Sequence, residues 1–86
     1  MVDPNFLAKR LEKAEAAVAR GERRLVLQRE IIARLEKAGQ GSSQTASVAR
    51  GVLKNMEQAQ QRYIDVRDQV QAQLAKVRPG ARRTGL

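Results

Sequence analysis

The chain has no cysteine, no histidine and no tryptophan, and its aromatic residues are Phe6 and Tyr63 alone. Without cysteine, neither a disulfide framework nor a thiolate metal site can stabilise it. Without histidine, the Glu-x-x-His spacing of di-metal helical bundles cannot be built, and a nucleophile has no imidazole to act as its base. Two aromatics do not make a base-stacking platform. Acids are scarce as well: 9 Asp and Glu stand against 17 Lys and Arg, for a net charge of +8. That balance suits an acidic partner, either nucleic acid or an acidic protein; an anionic membrane surface is set aside because the helices lack the large apolar moment such binding uses. No apolar run approaches the roughly 18 residues of a membrane span, and no charged start followed by an apolar stretch marks a secretion signal. The hydroxyls of Ser42, Ser43, Thr45 and Ser47 sit together in one loop with no base, and Asp65 and Asp68 read as solvated surface charges. We therefore expect a soluble, cytoplasmic, non-enzymatic protein with no metal, cofactor, small-molecule substrate or membrane partner. At 86 residues it is one domain, short for burying a core of its own.

What the chain does have is heptad spacing. Asp3 is a preferred N-cap and Pro4 fits the first helical position, where its missing N–H costs nothing. Val2 and Leu7 hold the positions of a hydrophobic staple. From there Leu7, Leu11, Ala14, Val18, Gly21, Leu25, Gln28, Ile32 and Leu35 follow at alternating steps of four and three, a narrow coiled-coil seam. Lys37 and then Gly39 close the helix, which is expected over residues 4–38, roughly 50 Å at 1.5 Å per residue. A polar turn is expected over 39–46, with Ser43, Thr45 or Ser47 as cap of the second helix. The second seam runs Leu53, Met56, Gln60, Tyr63, Arg67, Val70, Leu74 and Val77, on a helix expected over 47–78. Arg78-Pro79-Gly80 stops it, because the residue before proline is pushed out of the helical region. Residues 1–78 are thus a helical hairpin, and 79–86 a basic tail, read as disordered.

The two seams match rung by rung when read in opposite directions, each pair of residue numbers summing to 88. The fold class expected is all-α: an antiparallel two-helix coiled-coil hairpin. In that pairing Gln28 faces Gln60, an amide pair that would fix register. Gly21 faces Arg67, a missing side chain opposite a long one, with the Arg stem crossing the seam toward Glu22. With seam residues at a and d, the e flank sets Arg29 across from Glu57. The other flank, at g and c, carries Ala17, Leu27, Ile31 and Ala38 from the first helix and Val48, Val52, Ala59 and Val66 from the second. One edge is polar and the other largely apolar. Docking the edge through Ala17, Leu27, Ile31, Val48, Val52, Ala59 and Val66 onto its own copy would bury it in a homodimer, giving a four-helix bundle.

A competing reading rests on charge. Lys9, Lys13, Arg20, Arg23, Arg34 and Lys37 lie at outward positions of the first helix, and Arg82 and Arg83 add to them in the tail. Such a surface could neutralise nucleic-acid phosphates without reading sequence. Glu12 and Glu30 interrupt it, and no helix-turn-helix is present.

The segments Gly21-Glu22-Arg23-Arg24 and Gln28-Arg29-Glu30-Ile31-Ile32-Ala33-Arg34-Leu35-Glu36, with Gln60 and Arg67-Asp68, resemble a set of very short proteobacterial helical proteins, mainly from alphaproteobacteria. The likeness covers about half the chain. That set has no established activity to carry over; what it implies is a bacterial, cytoplasmic, stand-alone protein.

Overall fold

The computed structural model describes residues 3–77, as two α-helices, α1 (Pro4–Lys37) and α2 (Gln44–Val77). Val2 of the staple, the Arg78-Pro79-Gly80 stop and the basic tail with Arg82 and Arg83 lie outside the described residues. The helices pack against each other as an antiparallel hairpin with Cα extents of 61 × 25 × 14 Å.

Local chemistry sets three of the four helix ends. Asp3, in extended conformation, accepts a hydrogen bond from Asn5 N–H at 3.0 Å, with Pro4 behind it. At the other end of α1, Gln40 N–H donates to the Leu35 carbonyl at 2.8 Å and Gly39 N–H to the Glu36 carbonyl at 3.1 Å. That pair is the Schellman motif, and it requires the left-handed φ of +76° that Gly39 supplies. Among the three cap candidates, Ser43 is the one used: its Oγ accepts from Ala46 N–H at 3.1 Å and its backbone carbonyl from Ser47 N–H. Helix α2 therefore starts at Gln44, three residues before the expected 47, and the turn shortens to residues 38–43. Arg50 clamps this turn, donating to the Gly41 carbonyl at 2.8 Å and to Glu36 Oε2 at 3.1 Å.

The earlier start lengthens the second seam. Ala46 and Ala49, one step of three apart and in heptad phase with Leu53, are both buried. The seam residues of α1 and α2 all turn inward, with Leu7, Leu25, Ile32, Val70 and Leu74 the most deeply buried of the large ones. Tyr63 is the exception, 39% exposed at the edge of the seam.

The seam assignment holds, but the pairing does not. Gly21 lies against the Gln60 carboxamide, not against Arg67. These numbers sum to 81, seven less than the expected 88, so the hairpin closes one heptad tighter. Gln28 does not face Gln60; its Nε2 donates to the Ala49 backbone carbonyl at 2.8 Å. Gln60 Nε2 donates to the Val18 carbonyl at 2.9 Å. Arg67 does not cross the seam toward Glu22: its guanidinium pairs with the neighbouring Asp68 at 3.0 Å. The reason is the short turn: in the register that sums to 81, the buried Ala46 and Ala49 fall level with Leu35 and Ile32. Each glutamine then reaches across to a backbone carbonyl of the other helix.

Candidate functional site

The e flank is polar. Arg29 pairs with Glu57 at 3.5 Å, as the sequence leads one to expect, and Arg50 with Glu36 at 3.1 Å. Because side chains lean toward the N-terminus of their own helix, those of antiparallel partners lean toward each other, which brings these pairs together. All four side chains are about half exposed, so each pair contributes at most about 1 kcal/mol. Their use here is to mark the side: with e positions of both helices on one edge, the g positions of both lie on the other.

That second edge is the candidate interaction surface. Leu27 and Val48 are each 59% exposed, Ile31 is 46% exposed, and Val52 and Val66 are similar. Ala17 and Ala59 are half-buried at the inner border of the same edge. The structure thus places all seven residues on one side of the hairpin and leaves the large ones uncovered.

The edge also carries charged residues that its apolar pattern does not reveal. Arg24 occupies a g position between Ala17 and Ile31, and Arg62 a c position between Val48 and Val66. Arg20, one of the outward bases of α1, stands beside Arg24 and Tyr63. These two arginines, with Ala17 and Tyr63, line a half-open cavity of about 160 Å³. A smaller one of about 50 Å³, lined by Gly21, Arg24, Met56, Ala59, Gln60 and Tyr63, adjoins it. Among the described residues neither Arg20 nor Arg24 has a hydrogen-bonded or ion-paired partner. No c or g position of either helix holds an acid; every carboxylate within the helices is at b, e or f. The complete c and g columns, and not their apolar members alone, carry the signal for Arg24 and Arg62.

The remaining basic residues, Lys9, Lys13, Arg23, Arg34 and Lys37, are exposed and spread along α1. Lys9 and Lys13 border a shallow depression with Glu12 and Ala16, so an acid lies among them. Among the described residues no group of three or more acids could hold a metal ion, and no helix is long and apolar enough to cross a membrane.

Fold and surface together define a class, the antiparallel two-helix hairpin with one apolar and basic edge. Compared with family models, curated proteins and solved structures, the chain matches none of them.

Proposed function

We propose that this chain is a non-enzymatic helical interaction module of the bacterial cytoplasm that pairs with a second copy of itself through its g and c edge, forming a four-helix bundle. The observation that carries this reading is the concentration of large exposed apolar side chains, Leu27, Ile31, Val48, Val52 and Val66, on a single edge. Scattered surface hydrophobes need no explanation, whereas several gathered on one edge do. The shape supports it. A layer with a Cα thickness of 14 Å is one helix thick, and stable domains are built from at least two packed layers. The double substitution Leu27→Lys and Ile31→Lys tests it. Sedimentation and circular dichroism should show a helical dimer for the parent chain and a largely unfolded monomer for the variant. An unchanged oligomer in the variant removes the proposal.

The row of exposed bases on α1 favours a second reading, non-specific binding of a phosphate backbone. A salt titration of duplex DNA and RNA binding, with and without residues 79–86, separates the two. Binding that survives the deletion and falls steeply with salt selects this reading; no binding at moderate salt removes it.

A further inference from the structure

A dimer built on this edge brings like charges together, and where they meet follows from symmetry. The midpoint of α1 falls beside Arg20 and Gly21, and that of α2 beside Gln60 and Gln61. In an isologous pair the two-fold axis passes through the interface. With the axis across the hairpin, α1 packs on α1 of the second copy, and two fully overlapped copies place midpoint on midpoint. Arg20 and Arg24 of one copy therefore meet Arg20 and Arg24 of the other, over the cavity they line with Ala17 and Tyr63. With no acid at any c or g position, the second copy offers no carboxylate to neutralise them.

We infer that the centre of the dimer is an oxyanion site, in which Arg20 and Arg24 from both copies hold a phosphate-type anion that completes the interface. Guanidinium groups present planar forks of donors that match phosphate oxygens, and Arg24 stands with an apolar neighbour, Ala17 or Ile31, one heptad away on either side. The anion would be shielded there by the surrounding apolar row. This rests on the dimer proposed above.

The test is sedimentation equilibrium in sodium phosphate and in sodium chloride at matched pH and ionic strength, on the parent chain and on the double variant Arg20→Gln and Arg24→Gln. Phosphate should tighten the parent dimer about tenfold, or about 1.4 kcal/mol. The variant should show no phosphate effect, and in chloride it should dimerise at least as tightly as the parent, since its repulsion is gone. That gain cannot be mistaken for misfolding. A parent dimer equally tight in both salts overturns the anion site while leaving the dimer standing. A parent that is monomeric in both overturns the two together. Tightening by a short oligonucleotide with none by inorganic phosphate also overturns it, and points to the nucleic-acid reading.

Discussion

A methyl group at position 21 would have to occupy the place of the Gln60 carboxamide oxygen. Gln60 is 4% exposed, its Nε2 is committed to the Val18 carbonyl, and its Oε1 has no hydrogen-bond donor. That oxygen lies along the missing Cβ direction, toward the Gly21 α-carbon, where a weak Cα–H···O contact is the interaction open to it. Alanine is about 1 kcal/mol better than glycine in a helix interior, so Gly21→Ala would stabilise α1 if the site were open. It is not open. The methyl displaces the amide from its carbonyl and strands buried polar groups, a cost of about 1–3 kcal/mol. We expect Gly21→Ala to destabilise the protein by about 1–2 kcal/mol in urea unfolding followed by circular dichroism. In a Gln60→Ala background the same substitution should instead stabilise by about 1 kcal/mol. The change of sign is the test of the pairing: an equal effect in both backgrounds would mean that positions 21 and 60 do not meet.

At the level of the helices, the ends and the register have different origins. Ser43→Ala should cost about 1 kcal/mol, because the Ala46 N–H loses its acceptor, while Thr45→Ala and Ser47→Ala should stay within about 0.5 kcal/mol. Gly39→Ala should cost about 1–2 kcal/mol through its left-handed φ alone, since nothing crowds the position. Thermal or urea unfolding of these four variants ranks the caps, and a larger loss at Thr45 or Ser47 would contradict the assignment of Ser43. The start of α1 was legible because Asp3 and Pro4 signal it locally, and its end because Gly39 does. The register was not. A heptad seam slid by seven residues pairs a with d as before, so 88 and 81 satisfy the apolar pattern equally. What selects 81 breaks the period: a six-residue turn, two alanines small enough to sit under Leu35 and Ile32, and an empty site at Gly21. In the sequence Ala46 falls in the expected turn and Ala49 ahead of the first expected seam residue, Leu53, because alanine is a weak marker of burial. The interaction edge was half legible for a related reason. Its leucine, isoleucine and valines stand out by type, whereas Arg24 and Arg62 become visible only once the side of the hairpin they share is known.

For the whole molecule the question is whether a hairpin one helix thick is the unit that folds. Its deepest core is short: among the described residues five large apolar side chains are buried, together with Ala46 and Ala49. Five others, Leu27, Ile31, Val48, Val52 and Val66, lie uncovered along one edge. If a second copy covers them, folding and association are one equilibrium, and stability depends on concentration by mass action. A hundredfold rise in protein concentration then adds about 2.7 kcal/mol per dimer, and for a folding unit of about 150 residues each kcal/mol moves the melting midpoint by about 2–4 °C. The thermal midpoint, followed by circular dichroism, should rise by about 5–10 °C over that range. The Leu27→Lys and Ile31→Lys double variant, with lysines on the edge, should show no such rise at any concentration where it is helical at all. A parent chain whose midpoint stays fixed over the hundredfold range would be a hairpin that folds alone. Its exposed edge would then have to be assigned to a different partner, one carrying the acids that this edge lacks.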